Sequence, residues 1–414
     1  MGISLLVAAY GIKAYFKEGD LPVFIRAAEN LISGAAIYLN EPRAFTYPPF
    51  YAFTMIPFTW LEIHTAKIVW YVLSILFVIL SLRAAGEIAA PEPGSRFNRS
   101  GAGLPTRAVL ALAVLLTLRF ILSTVDNQQS DLMVLAFSLI GLAVLTERKQ
   151  FLCGVFLAAA VSLKLTPLLF IPYLLFRRAW LSCLCLAACL VVFWGIPELL
   201  FPANSGTPLI SSWYEIVITK VSPWEGGTPW TDGGGIWTAT SILNQSLPAT
   251  IYRYLAAAPI QIHGGQIQVN ILDLDPQAVK TVSYILCFAL LTISGFVMWK
   301  FRKNGKNIAV DLGIVFCLML LISPQSSKPH FSALLLPHLC LLAVLAKQKN
   351  RTLLGLLVCS VILNTVSAEG FIGRHFSDVL EAHGAITGGT LLVWSSLLFV
   401  KAKRIFPYTS SDNQ

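Results

Sequence analysis

The chain has 414 residues, 56% of them hydrophobic and 12% charged, and its mean hydropathy is +0.70. A soluble domain carries roughly 25% charged residues, so this composition excludes an ordinary soluble fold. It implies instead an all-α polytopic membrane protein, in which repeated spans of about 20 apolar residues replace a single globular core. The net charge of +9 is dispersed in short Lys and Arg clusters between apolar runs, which argues against a nucleic-acid surface and reads as membrane orientation, with some attraction to anionic lipid.

About twelve spans are expected, near residues 1–16, 66–85, 107–125, 131–146, 150–163, 165–177, 180–200, 281–300, 308–322, 330–346, 352–368 and 385–400. Met1 to Phe16 lacks a basic n-region and a small-residue cleavage site, so it reads as a first span and not as a signal peptide. It is short, and an upstream start stays open. Several other spans lie near the lower length limit, where tilted or broken helices are expected.

Alternation along these spans places six basic clusters on the cytoplasmic side: Arg96/Arg99/Arg107, Arg148/Lys149, Arg177/Arg178, Arg302/Lys303/Lys306, Lys347/Lys349/Arg351 and Lys401/Lys403/Arg404. The loops 17–65, 126–130, the bend at Lys164, 201–280, 323–329 and 369–384 then share the other side. That parity fails if 47–61 crosses fully. With Pro48, Pro49 and Pro57 in it, this segment is expected to be re-entrant or interfacial. The linker 87–107, rich in Pro, Gly and Ser, reads as a flexible cytoplasmic loop. All eight cysteines fall inside apolar runs without metal-site spacing, which suits packing. The whole of 1–414 reads as one integral membrane domain, with a catalytic first loop at 17–65 and a large external loop at 201–280.

Polar residues in the external loops are the candidates for chemistry. Asp20 follows the first short apolar run, and Arg26 and Glu29 follow it in a helix-compatible segment. The island Asp126-Asn127-Gln128-Gln129-Ser130-Asp131 is either a solvated turn capping the next helix or a wall of a sugar-binding cleft. Lys164, followed by Pro167 between two apolar stretches, costs several kcal/mol unless it snorkels or pairs; a lipid-borne phosphate is a natural partner. In the 201–280 loop, Trp213, Trp224, Trp230 and Trp237 form either an interfacial belt or stacking platforms for sugar rings. Arg253, flanked by Tyr252 and Tyr254, is a candidate phosphate clamp, whereas the glycine run 233–235 has no strand-loop-helix context. Lys328 and His330 start an apolar run on the same side, His330 being either a helix cap or a functional group. Arg374, His375, Asp378 and His383 lack a zinc spacing and read as surface.

In order, Asp20, Ala27-Ala28, Gly34, Tyr38, YPPF at 47–50, Pro57, Asn127-Gln128, KLTP at 164–167 ahead of RRAW, and Ser323-Pro324 with His330 form a set that resembles glycosyltransferase family 87. These are polytopic GT-C enzymes typified by polyprenyl-phosphate-mannose-dependent mannosyltransferases. The resemblance implies transfer of a hexose, mannose in the typical case, from a polyprenyl monophosphate to a hydroxyl of a lipid-linked or cell-envelope glycan on the outer face, with inversion and without a cofactor. It implies Asp20 as the base, Lys164 as a phosphate-stabilising cation, and His330 in phosphate stabilisation or proton relay. By position, Arg253 and Lys328 join the donor-phosphate set, and Tyr47, Asp126, Asn127, Gln128, Asp131 and Trp237 the substrate cleft. A metal-independent reaction is expected, because side-chain cations suffice for a lipid monophosphate leaving group; the alternative is a cation held by Asp126 and Asp131 with Asp20. One departure is plain: after Ser323-Pro324 the chain reads QSSKPH with a single histidine. A transporter or flippase is the competing class, and it predicts polar residues at the bilayer midplane and related halves; neither pattern is evident here.

Overall fold

The structure, a computed structural model, describes residues 2–39, 43–89, 106–221, 237–302 and 308–406. Most of the 87–107 linker, the glycine run 233–235, Trp224, Trp230 and the cations Arg96, Arg99, Lys303 and Lys306 lie outside these residues. The chain divides into two compact units, one formed by 1–81 and 121–236 and the other by 82–120 and 237–414.

The first unit holds α1 (Gly2–Phe16), α2 (Leu21–Ile32), α3 (Pro49–Thr54) and most of α4 (Ile63–Ala89). It also holds the last turn of α5 (Thr106–Asp126), then α6 (Asp131–Thr146), α7 (Gln150–Leu163), α8 (Phe170–Phe176), α9 (Trp180–Leu200) and α10 (Leu209–Ile216). Helix α2 forms because Pro22 sits in its first turn, where a missing N–H costs nothing, and because Leu21, Phe24, Ala27, Ala28 and Leu31 make one buried stripe opposite exposed Arg26 and Glu29. Phe24 packs into an aromatic cluster, 4.9 Å from the Tyr51 ring and 5.3 Å from the Tyr47 ring between centroids.

The prolines of 47–57 leave only the six residues of α3 and a 3-10 turn, Ile56–Trp60. Six helical residues span about 9 Å of a hydrocarbon layer roughly 30 Å thick, so this helix does not cross it. Helix α7 packs against α6 and α9 and stops at Lys164, whose backbone is extended (φ −158°, ψ 132°). Pro167 stands in the following 3-10 turn, Thr166–Leu169.

The second unit holds the rest of α4 and α5, then α11 (Leu247–Leu255), a two-stranded hairpin of β1 (Ile260–Ile262) and β2 (Gly265–Ile267), and α12 (Pro276–Lys300). After these come α13 (Ile308–Ile322), α14 (Leu335–Lys347), α15 (Arg351–Val361), α16 (Glu369–Ile372), α17 (Arg374–Ala382) and α18 (Ala385–Lys403). Helix α18 packs on α13, α14 and α15. Its Lys401 pairs with Asp311 of α13 at 2.7 Å, both side chains buried. A single π turn, Ile362–Val366, extends α15, and its Asn364 carbonyl accepts from Arg119 at 2.8 Å; a π turn frees carbonyls for such use.

The protein is thus an all-α polytopic membrane protein. Among the described residues six helical segments are long and apolar enough to cross a bilayer: 63–89, 107–126, 180–200, 276–300, 328–347 and 385–403. Those at 131–146, 150–163, 166–176, 308–322 and 351–366 are apolar but shorter. The expected apolar runs are therefore helical nearly residue for residue, while the crossing criterion is met by fewer than the twelve expected. The hairpin at 260–267 was not anticipated. All eight cysteines are free thiols.

Candidate active site

Asp20 is the N-cap of α2, a position where an aspartate ordinarily spends a carboxylate oxygen on the N–H groups of its own first turn. Here the side chain makes no such bond. Its Oδ2 instead accepts a hydrogen bond from Nε2 of Gln129, and Gln129 Oε1 accepts from the Tyr47 hydroxyl at 2.9 Å. Oδ1 of Asp20 receives no hydrogen bond from the described residues. Tyr47 is held in turn by Tyr38, whose hydroxyl donates to the Tyr47 carbonyl at 3.0 Å. Trp213 pins the neighbouring Thr46 carbonyl at 3.2 Å, so it serves as a buried packing residue of the first unit.

The polar island also fixes the main chain at Asp20. The Asp20 N–H donates to the Asn127 carbonyl at 3.0 Å. Gln128, buried with φ +53°, donates to the Ala14 and Lys17 carbonyls at the end of α1, and Asp126 pairs with Lys13 at 2.6 Å. Gly19 leaves no room for a side chain: a Cβ there would lie 2.7 Å from Gln128 Oε1 and 2.9 Å from the Asn127 carbonyl oxygen.

Nearby, Lys164 pairs with Asp131, the first residue of α6, at 2.9 Å. Both are largely buried, at 14% and 6% exposure, and the ammonium also stands 5.6 Å from the centre of the Tyr47 ring. Of snorkelling and pairing, the structure shows pairing, with Asp131 in place of a lipid-borne group, which partly meets the cost of burying the charge. Burial raises the Asp20 carboxyl above its ordinary range; Arg43, Lys164 and Lys17 oppose that and Asp131 adds to it. The result is a half-buried carboxylate with one oxygen fixed and the other open, next to a lysine.

The second unit holds the remaining candidates. His330 lies in the 3-10 turn Lys328–Leu334, and its Nδ1 accepts from the Ser327 N–H at 3.2 Å in a capping box. This places the proton of the neutral ring on Nε2. Lys328 pairs with Glu381 at 2.8 Å, and Arg119 reaches the same oxygen at 2.6 Å. Trp237 is half-buried, its carbonyl accepting from Asn244.

Arg253 is a correction. Its guanidinium is fully buried, and its N–H groups go to the carbonyls of Ala382, Ala239, Ser241, Asn244 and Glu381 and to the Thr250 hydroxyl. Burial lowers its pKa to about 10. With every donor spent on the protein, Arg253 clamps α11 to the end of α17 and has none left for a phosphate.

The expected residues Asp20, Tyr47, Asp126, Asn127, Gln128, Asp131 and Lys164 thus gather in the first unit. His330, Lys328, Arg253 and Trp237 belong to the second. Gln129, the only side chain among the described residues that donates a hydrogen bond to the Asp20 carboxylate, was passed over within the island. Its signal was available, since a glutamine one residue past a helix-ending Asp-Asn-Gln turn offers both a donor and an acceptor. Arg119, in the middle of an apolar helix, was the overlooked sign of the Glu381 cluster. Among the described residues no three His, Cys, Asp or Glu side chains form a metal-binding group.

A helical membrane protein whose half-buried carboxylate is fixed beside a lysine is suited to deprotonating a hydroxyl next to an anionic group. The chain belongs to glycosyltransferase family 87, whose profile matches residues 45–324, about two thirds of its length, and it is accordingly a membrane glycosyltransferase. The match takes in Tyr47, Gln129, Asp131 and Lys164; Asp20 precedes it, and Lys328 and His330 follow it. Among curated proteins it is similar to a polyprenol-phosphate-mannose-dependent alpha-(1-2)-phosphatidylinositol mannoside mannosyltransferase of Mycolicibacterium smegmatis, 23% identical over 368 residues, covering 86% of this chain and 74% of that protein. The like-named enzyme of Mycobacterium tuberculosis is 27% identical over 172 residues, which are 38% of this chain and 40% of that protein.

Proposed function

We propose that this glycosyltransferase moves a mannosyl group from a polyprenyl-phosphate mannose to a hydroxyl of a lipid-linked or cell-envelope glycan at the extracytoplasmic face, within a GT-C-type fold. Asp20 takes the proton of the acceptor hydroxyl on its open Oδ1 while the acceptor oxygen attacks the anomeric carbon. The anomeric C–O bond breaks, its electron pair leaves with the polyprenyl phosphate, and the anomeric configuration inverts. The observation that carries this reading is the Asp20 carboxylate, spared from helix capping and held at one oxygen by Gln129.

A carboxyl raised by burial accepts a proton more readily than an ordinary aspartate. Lys164 offers the departing phosphate a cation already ordered by Asp131. His330, with its proton on Nε2, and Lys328, held by Glu381, are assigned anion-stabilising roles within the second unit. Tyr47, Asp126, Asn127, Gln128 and Asp131 of the first unit are assigned to the acceptor and sugar cleft, and Trp237 keeps a sugar-stacking assignment within the second unit.

The test is Asp20→Asn in membrane vesicles supplied with labelled polyprenyl-phosphate mannose. Insertion and donor binding should persist while transfer falls by about a hundred- to ten-thousand-fold, the range of general-base catalysis. Turnover at the wild-type rate overturns the assignment.

A further inference from the structure

Helix α17 is built inside out. Its Ser377 and Glu381 are buried, Glu381 at 0% exposure, while Phe376 is 66% exposed and Leu380 stands outward one turn further on. Just before it, Phe371 of α16 is 70% exposed. In water this arrangement is doubly unfavourable, because large apolar side chains are solvated while a carboxylate is desolvated. The buried side is satisfied internally: Glu381 pairs with Arg119 and Lys328, and its carbonyl accepts from Gln245. The outward apolar side stays exposed, Phe376 meeting the ring of its neighbour His375.

Two observations identify what covers it. The exposed apolar residues continue a stripe that begins on α15, where Leu354, Val358, Ile362 and Val366 all face outward at four-residue spacing. In a membrane protein such a stripe is lipid-facing surface, and exposed Phe371, Phe376 and Leu380 follow it along the chain. The chain also returns at Ala385 to a helix long and apolar enough to cross the bilayer, which keeps α17 within a few residues of the hydrocarbon boundary. Exposed Arg374 at its start suits lipid headgroup phosphates.

We infer that α17 lies in the headgroup layer of the bilayer, its Phe371, Phe376 and Leu380 side entering the acyl edge and its Glu381 side holding Lys328 and Arg119. Interfacial helices of this kind sink about 5–10 Å below the headgroup surface. The seating of the helix and the placement of the two cations are one structural unit, because Glu381 is the partner common to both. The inference does not depend on which sugar or lipid carrier the enzyme uses.

The test is a bimane probe on Phe376→Cys, and separately on Leu380→Cys, in the full-length protein in phosphatidylcholine nanodiscs. Labelled wild-type protein is run in parallel to subtract the natural cysteines. Both probes should be quenched strongly by lipids brominated near the headgroup end of the acyl chain and weakly by aqueous iodide. Adding Phe376→Asp to the Leu380→Cys protein should reduce the lipid quenching at least twofold. Iodide quenching that equals or exceeds lipid quenching places the face in water and overturns the inference. Protection from both quenchers means that protein covers the face, and overturns it too.

Discussion

The reactivity proposed for Asp20 depends on Gln129, since the amide both donates to the carboxylate and is itself oriented by Tyr47. Gln129→Leu removes a hydrogen bond to the charged form, so the acid limb of the pH–activity profile should move upward and kcat should fall about ten- to a hundredfold at neutral pH, with KM little changed. Tyr47→Phe should move the limb the same way by less; an unmoved limb in both variants would leave Gln129 a packing residue only. Linkage gives a second check. Burial makes Asp20 harder to ionise when folded, so its contribution favours the folded state below the unfolded value and is lost as pH rises through the raised folded value. At pH 7 the wild type therefore carries a cost that Asp20→Asn removes: the variant should melt at least as high as the wild type in detergent, with the gap closing on acidification. At Gly19, an added Cβ meets the Asn127 carbonyl oxygen, so Gly19→Ala should displace Asp20 and lower both stability, by about 1–3 kcal/mol, and activity.

At the scale of elements, polar side chains decide where the apolar helices stop and how they join. Lys164 and Pro167 end α7 and turn the chain, and Arg119 captures the carbonyl freed in the π turn after α15. The Lys401–Asp311 pair ties α18 to α13 inside the second unit. Removing one partner takes this buried ion pair apart, so Lys401→Met should destabilise by up to about 3–5 kcal/mol, and pairing it with Asp311→Leu should restore part of the loss. Thermal unfolding of the single and double variants in one detergent measures both; an additive double variant would show that the two residues act separately.

For the whole molecule, the basic clusters make one topological prediction. Cysteines placed at Ser205 and Gln266 should react with a membrane-impermeant thiol reagent from the extracytoplasmic side, and those at Gln348 and Lys349 only after permeabilisation. A mixed pattern would break the alternation of spans and remove the case for Asp20 sharing a side with the long 201–280 loop.

The sequence by itself determined the class of protein, the positions of the apolar helices and the chemistry available in the loops. Those properties depend on local hydropathy, on proline and on charge clusters, which act over one or two helical turns. Asp20 and Lys164 were legible for that reason, being a charge beside a short apolar run and a charge within one. Only the tertiary structure decided their partners. Gln129 lies 109 positions from Asp20, and Glu381 lies 262 from Arg119; no local rule connects residues that far apart. The same holds in part for Arg253, whose guanidinium suggested an anion clamp, whereas the carbonyls of Ala239, Ser241 and Asn244 and the distant ones of Glu381 and Ala382 converge on it. A buried polar group must be paired, but which group pairs it is settled by packing, and packing is what made Asp20 a carboxylate held at one oxygen and open at the other.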